Sequence, residues 1–143
     1  MCIRIKPLHL VIVMILSVGL IAWNEKSGNV PVQQLRIYKV HKGNAGPFHN
    51  RFRDHAQRIM KKYDFRIIGM WESKSNDLTE FIYMLEWKNE DEMRDQWKKF
   101  MADKEWQDIK KATAAQFGVF VDSIEDRVLI PTDYSPAKRF ILK

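Results

Sequence analysis

The sequence has a single cysteine, Cys2, in its 143 residues, so no disulfide bond can form within the chain. Glycine and proline are also scarce, at six and five residues. Gly43 and Gly46 come nearest to a glycine-rich loop, but no GK[ST] follows them, which excludes a P-loop nucleotide site. Motifs around a serine nucleophile are absent as well. Any chemistry of this chain therefore depends on other residue types.

Long runs of one charge are also missing. The net charge is +6, from 24 basic and 18 acidic residues that are interspersed along the chain. Basic residues cluster no further than pairs such as Lys61-Lys62 and Lys98-Lys99. Because nucleic-acid binding usually requires a concentrated basic stripe, we expect no nucleic-acid partner.

Metal-ligating residues are sparse. After residue 23 the chain has three histidines, His41, His49 and His55, and no cysteine. Their spacing does not match HExxH or another zinc-binding pattern. The sequence therefore predicts neither a metal site nor a bound cofactor.

One long apolar run is present, from Leu8 to Trp23, and it follows the basic residues Arg4 and Lys6. Its 16 residues fall short of the ~20 that span a bilayer and are closer to the roughly 7–15 of a signal-peptide core. Residues 1–23 are therefore expected to be a cleaved export signal or an uncleaved membrane anchor.

A polar linker over residues 24–32 would follow this N-terminal apolar helix. Both alternatives place the folded domain outside the cytoplasm, either secreted or periplasmic or anchored by its N-terminus. The membrane would be contacted only through residues 8–23. A helix buried against the domain is a third alternative, disfavoured because a small core does not cover a helix that is apolar all round.

The rest of the chain alternates between strand and helix patterns. Strands are predicted from period-two alternation and helices from apolar residues every three or four positions. Asn89, with Glu92 three residues later, forms a capping box. The predicted elements are a strand over Gln34–Val40, a helix from Pro47 to Asp64, strands Phe65–Lys74 and Glu80–Lys88, a helix from Asn89, a second helical piece from Asp103 to Gly118, and a strand over Val119–Ile130.

This order is the ferredoxin-like βαββαβ motif of the α+β class, with a four-stranded antiparallel sheet and helices on one face. It assigns residues 33–136 to the domain and 137–143 to a C-terminal tail. The second face of the sheet needs an apolar cover, since large apolar surfaces rarely stay wet. A second copy of the same sheet is the simplest cover, so we expect a homodimer.

The hairpin WESKSNDLTEFIYMLEW, residues 71–87, reads almost alike in both directions. Turn-forming residues at 75–77 favour a register in which Lys74 opposes Glu80. That register places Trp71 and Tyr83 on the face under the helices. It places Ile68, Met70, Met84, Glu72 and Glu86 on the other face. Glu72 and Glu86 would then lie ~13 Å apart, beyond the ~9.5 Å limit of a glycosidase carboxylate pair.

The chain resembles the NIPSNAP family from Gln34 to Pro136. The resemblance is carried by LRIYKVHKGNAGPFHNRFRDH, RIIGMWES, FIYMLEWKNEDE, ADKEW and IEDRVLIPTDYSP, in this order. Lys104 stands where many relatives have proline. The resemblance implies a ferredoxin-like domain that dimerises sheet to sheet into an α+β barrel. It also implies kinship with cofactor-independent monooxygenases and haem-degrading enzymes of the dimeric α+β barrel type.

Two residues are candidate catalytic bases, His55 at the margin of the first helix and Glu86 in the middle of a strand. A buried carboxylate at Glu86 needs a partner, for which Arg36, Arg66 and Arg127 are candidates. The alternative for His55 is a histidine hydrogen-bonded to the backbone, and for Glu86 an interface salt bridge. The candidate ligand-binding residues inside the barrel are Ile68, Met70, Trp71, Tyr83, Met84 and Glu86.

Three functional hypotheses follow. The first is a homodimeric binding protein that holds a small, partly apolar molecule in the barrel, between mostly apolar walls with few polar groups. The second is a cofactor-independent oxygenase or isomerase that uses His55 or Glu86 as a base. The third is a structural or interaction module whose barrel interior is filled with side chains.

Overall fold

The structure is a computed structural model that describes residues 30–75 and 78–141. Its elements are strand β1 (Val32–Val40), helix α1 (Ala45–Arg51), a π-helical segment (Phe52–Ala56), helix α2 (Gln57–Lys62), strands β2 (Arg66–Ser75) and β3 (Leu78–Trp87), helices α3 (Glu90–Ala102) and α4 (Lys104–Phe117), and strand β4 (Val121–Leu129). This order confirms the α+β class and the βαββαβ motif. The apolar run at 8–23 lies outside the described residues, and within the described ranges no helix is long and apolar enough to cross a membrane.

The four strands form one antiparallel sheet in the order β2-β3-β1-β4. Central strand β1 pairs with β3 on one side and β4 on the other. The described helices all cover one face of the sheet, which we call the helix face. The other face, which we call the open face, is covered by none of these helices.

Helices α1 and α2 and the π-helical segment between them are continuous, and their apolar stripe is buried as predicted. Phe48, Phe52, Ala56 and Ile59 are all buried against the sheet. In an α-helix of 3.6 residues per turn, side chains spaced four residues apart point in gradually different directions around the helix axis. The wider π-helical turn at Phe52–Ala56 counters this drift, so all four side chains reach the sheet.

The predicted starts of α3 and α4 are confirmed by their caps, whereas α1 begins at Ala45, two residues before the predicted Pro47. The Asn89 side chain accepts a hydrogen bond from the N–H of Glu92 at 2.8 Å, and the Asp103 side chain accepts one from the N–H of Trp106 at 2.9 Å. Gly118 ends α4 with φ of 72°, a left-handed conformation that favours glycine.

The core between helices and sheet is mainly aromatic. Phe81, Tyr83, Leu85 and Trp87 alternate along β3 and are all buried on the helix face. Ring contacts join this row to the helices, as between Phe52 and Phe81 at 4.7 Å. Burying such large rings, together with their edge-to-face contacts, provides most of the stabilisation expected of a small domain.

The predicted register of the hairpin is wrong. Ser75 pairs with Leu78, so Lys74 opposes Thr79 rather than Glu80. Only two residues separate the strands, which is the commonest hairpin connection. The pairing is therefore shifted by one residue from the predicted register. A bulge between Ile67 and Gly69 shifts it again.

A one-residue shift exchanges the two faces of a strand, and β2 shows this. Met70 pairs with Tyr83 and lies on the helix face, whereas Trp71 pairs with Ile82 on the open face. Glu72 also moves to the helix face, opposite to the prediction. Glu72 and Glu86 therefore lie on opposite faces of the sheet and cannot act as a carboxylate pair.

The C-terminal segment after β4 returns across one end of the open face. The Glu86 carboxylate, fully buried, accepts the backbone N–H groups of Phe140 at 2.7 Å and Ile141 at 2.6 Å. Gln33 donates to the carbonyl of Lys138 at 3.2 Å. The tail thus provides hydrogen-bond partners for Glu86, where arginine partners were predicted.

Candidate functional site

A cavity of about 170 Å³ lies between the helix face of the sheet and the helices. Its described walls are aromatic rings and aliphatic chains, and among the described residues they include three cationic side chains and no acidic one. The residues that line it are Arg36, Tyr38, Phe48, Arg51, Phe52, Ala56, Met60, Trp97, Phe100, Met101, Trp106, Lys110, Val121 and Ile124.

Arg36 projects from central strand β1 onto the helix face, where an apolar residue is usual. Its guanidinium forms an ion pair with Asp126 of neighbouring β4 and donates to the Tyr38 hydroxyl at 3.0 Å. It also lies 4.6 Å from the centre of the Trp97 ring, in a cation–π contact. Burial opposes the charge, but the Tyr38 and Tyr83 hydroxyls and the Asp126 carboxylate outweigh it and raise the pKa of Arg36. Arg36 is thus a fixed cation.

Tyr38 and Tyr83 form a hydroxyl pair beside Arg36. Their oxygens are 3.3 Å apart and their rings are stacked at 5.7 Å. Tyr83 is fully buried, and burial raises the pKa of its hydroxyl well above the ordinary value. The Tyr83 hydroxyl is therefore a neutral hydrogen-bonding group at physiological pH.

Trp97 forms one end of the cavity, and Gln34 holds its ring in place. Its amide oxygen accepts the indole N–H of Trp97 at 2.8 Å and that of Trp87 at 3.1 Å. Its amide nitrogen donates to Asp126 at 2.8 Å. One buried glutamine thereby orients Trp97 and the carboxylate that holds Arg36.

Arg51 and Lys110 converge on the ring of Trp106 from α1 and α4. The Arg51 guanidinium lies 5.6 Å and the Lys110 ammonium 5.9 Å from the ring centre. Arg51 also stacks on Phe120 at 4.1 Å and donates to the Thr113 hydroxyl at 3.2 Å. Burial lowers the pKa of Arg51 from its ordinary value, so its charge is incompletely solvated.

The two predicted catalytic residues do not line this cavity. His55 lies half-buried in the π-helical segment. Glu86 lies on the open face, where the tail caps its carboxylate. The structure therefore does not bring the two residues together.

The predicted arginine partners of Glu86 bind other carboxylates. Arg36 pairs with Asp126, Arg66 with Glu92, and Arg127 with Glu125.

The six predicted ligand-binding residues divide between the two faces of the sheet. Met70 and Tyr83 lie on the helix face, Trp71, Met84 and Glu86 on the open face, and Ile68 at the bulge of β2. Tyr83 comes nearest to the cavity, through its contact with Tyr38. Among the described residues, no cluster of three or more acidic, histidine or cysteine side chains is placed to hold a metal ion.

The alternation QLRIYKV in β1 contains the signal that could have located the cavity. Arg36 and Tyr38 are two residues apart, so their side chains must lie on the same face of the strand. Each face of a central strand is either covered by other parts of the protein or used for function. We named Arg36 as a candidate partner of Glu86, whereas it pairs with Asp126 and projects beneath the helices, which was not predicted. Arg51 and Lys110 carried no signal, because each is an ordinary helix residue in the sequence.

The NIPSNAP family model matches residues 33–136. The chain belongs to the NIPSNAP family. A NIPSNAP-like domain protein from Burkholderia xenovorans is similar in fold, with a TM-score of 0.65 and 16% identity over 80% of this chain and 97% of that one. A NIPSNAP family protein from Agrobacterium tumefaciens is 25% identical, with a TM-score of 0.63 over 74% of this chain and 97% of that one.

A more distant fold neighbour of this NIPSNAP chain is SnoaB, a cofactor-independent oxygenase from Streptomyces nogalater. It is 14% identical, with a TM-score of 0.49 over 76% of this chain and 99% of that one, which is too distant to bear on function. None of the curated proteins compared with the chain matches it.

Proposed function

We propose that this NIPSNAP domain binds a small, partly apolar molecule in the cavity between its helices and its sheet. The observation that carries the proposal is an aromatic cavity with a fixed polar edge formed by Arg36 and Tyr38. Ligand sites in proteins have this composition, with apolar walls and a few convergent polar groups. The proposal moves the ligand from the barrel interior that the sequence suggested to the helix face.

The size of the cavity limits the ligand to about one ring with a small substituent. An apolar cavity of about 150 Å³ is known to accept benzene, and this one has about 170 Å³. Ile124 and Met101 line it and are 45% and 48% exposed, so it opens near β4 and the end of α3. A ligand entering there would meet Trp106 and Lys110 first.

The indole N–H signals of the full chain in NMR spectra test this proposal. We expect at least one of benzene, benzyl alcohol and benzoate to shift the Trp97 and Trp106 signals. Trp71 on the open face should remain unchanged. If none of the three probes shifts the Trp97 or Trp106 signal, the cavity does not bind single-ring molecules and the proposal is wrong.

A matched pair of variants on β4 ties the binding to the cavity. Ile124 and Val128 lie on the same face and are 45% and 41% exposed, but only Ile124 lines the cavity. Ile124→Trp should block the opening and abolish the shifts, whereas Val128→Trp should preserve them. Equal loss in both variants would contradict binding in the cavity. Untargeted mass spectrometry of molecules that co-purify with the native protein would identify the natural ligand.

The proposal extends to a homodimer formed through the open face. Trp71, Ile82 and Ile37 lie in one row across three strands of that face, and Trp71 is 51% exposed. An apolar row of this kind is typical of a surface that another protein covers, and an identical sheet has a matching row.

The run at 8–23 is proposed to export the domain or to anchor it to a membrane. Its basic start and its apolar core support this assignment. Mass spectrometry of the N-terminus of the mature protein distinguishes the two cases. A chain that still begins at Met1 would exclude cleavage.

A further inference from the structure

The charge around the cavity is strongly unequal. Arg36, Arg51 and Lys110 line it, and no aspartate or glutamate of residues 30–75 and 78–141 does. Asp126 balances Arg36 by direct contact. In the described part of the chain, neither Arg51 nor Lys110 has a carboxylate within ion-pair distance. Two half-buried cations therefore face the cavity without an anion to balance them.

Such an arrangement is costly unless a ligand compensates it. Partly buried charges lose hydration and are usually paired. Contacts with the faces of Trp106 and Phe120 compensate only part of this loss. The described helices carry many ordinary ion pairs, including Lys104 with Asp108. The lack of a carboxylate beside Arg51 and Lys110 is thus a local feature of the cavity.

We infer that the ligand is an anion, a small aromatic or similarly flat carboxylate, whose charged group is held by Arg51 and Lys110. This inference rests on the proposed function and names its ligand class. The apolar part would lie against the rings of Trp97, Phe100 and Trp106, which line the same cavity. An arginine can bind a carboxylate through two parallel hydrogen bonds, while a lysine contributes a mobile point charge.

Arg36 has a different role in this site. Asp126 and Tyr38 bind the two terminal nitrogens of its guanidinium, so it orients the polar edge of the cavity rather than neutralising the ligand. Its buried Nε has no hydrogen-bond partner in the described part of the chain. The selectivity for an anion then depends on Arg51 and Lys110. A cationic ligand would meet two like charges at once and should be rejected.

Three single-ring probes of similar size test which ligand charge the cavity prefers. Benzoate, benzyl alcohol and benzylammonium differ mainly in the charge of the substituent on one ring. The dissociation constants are measured on the full chain from the Trp106 indole N–H shift, with Trp71 as the internal reference. We expect benzoate to bind at least about tenfold more tightly than benzyl alcohol and benzylammonium not to bind.

A variant of Lys110 tests whether the preference for benzoate arises in the cavity. Lys110→Met should weaken benzoate binding about tenfold and affect benzyl alcohol binding much less, since the methionine keeps the apolar stem. Lys111→Met is the matched control, because Lys111 is the next residue but is exposed and does not line the cavity. It should bind benzoate as the native protein does. Equal weakening in both variants would indicate general surface attraction and would overturn the inference.

Arg51 is tested by a conservative pair, because it also packs on Phe120. Arg51→Lys should retain part of the preference for benzoate over benzyl alcohol, and Arg51→Met should remove most of it. Amide spectra of both variants establish that each is folded. If benzyl alcohol binds as tightly as benzoate to the native chain, the ligand class is wrong while the binding site stands. If no probe binds, the proposed function itself fails, and the inference with it.

Discussion

Gln34 shows how a single polar side chain can determine the shape of an aromatic core. It is 1% exposed and lies on the helix face of β1, among Trp87 and Trp97. Buried indole N–H groups need acceptors, and the amide oxygen of Gln34 serves two of them. The same side chain holds Asp126, which in turn holds Arg36. The cavity edge therefore depends on a residue that does not line it.

We expect Gln34→Leu to lower the free energy of unfolding by about 2–6 kcal/mol. Each indole N–H left buried without a partner costs about 1–3 kcal/mol, and Gln34 accepts two such groups. Urea unfolding at neutral pH measures the change.

Gln33→Leu is the matched control, because Gln33 is 4% exposed and its side chain makes one hydrogen bond to the described residues, to the carbonyl of Lys138 in the tail. A cost near 1 kcal/mol is expected for it. If Gln33→Leu proves as destabilising as Gln34→Leu, the double acceptor role of Gln34 is not the cause.

At the scale of elements, the junction of α3 and α4 is organised by Asp103. Its carboxylate caps α4 at the N–H of Trp106 and accepts the Tyr63 hydroxyl at 2.8 Å. Tyr63 is the residue at which α2 ends. One carboxylate therefore joins the end of the first helix to the start of the last. The sequence predicted the helix start but not the contact with Tyr63, because 40 residues separate the two.

This contact predicts a loss of stability in acid. The backbone N–H of Trp106 and the Tyr63 hydroxyl lower the pKa of Asp103 below its ordinary 3.8. A lowered pKa in the folded state stabilises the protein above the unfolded pKa, and the stabilisation is lost as the pH falls through the folded value. Stability should therefore fall below a pH of about 3.8.

Two variants isolate the contribution of Asp103. Asp103→Ala should cost about 1–2 kcal/mol at neutral pH through the lost cap. Asp103→Asn keeps a good capping residue without a titrating group, so its stability should depend less on pH in this range. Thermal unfolding between pH 2 and 7 compares them. If Asp103→Asn loses as much stability at low pH as the native chain does, that loss is due to other carboxylates.

At the scale of the whole molecule, the two faces of the sheet have different roles. The helix face carries the core and the cavity. The open face carries the row of Trp71, Ile82 and Ile37, and the tail covers its end at Glu86. Gly69 makes room for this arrangement, since a Cβ there would lie 2.7 Å from the Trp71 ring. Dimer formation and ligand binding are thus proposed for separate surfaces and can be tested separately.

We expect Ile82→Lys to dissociate the dimer while keeping the cavity. The new ammonium group would lie between Trp71 and Ile37 on the open face, where a matching partner surface would have to bury it. Sedimentation equilibrium should give twice the 17.0 kDa of one full chain for the native protein and once that mass for the variant. Gln107→Lys, on the exposed side of α4, should remain dimeric. A native protein that sediments as a monomer would refute the dimer.

The sequence by itself determined the order and type of the elements, because periodicity and caps are local signals. The stripe that includes Phe48 and Phe52, the cap at Asn89 and the glycine at 118 needed no long-range information. Membership of the NIPSNAP family was also readable from the order of short motifs.

Tertiary structure alone decided the hairpin register, the partners of Glu86 and the position of the cavity. A one-residue choice of turn reversed the faces of Met70 and Trp71, and the two alternatives differ little in local preference. The partners of Glu86 come from the tail, 54 and 55 residues away. Arg51 and Lys110 meet at Trp106 only because α1 and α4 pack together. Contacts between distant segments are set by packing, which no local pattern encodes.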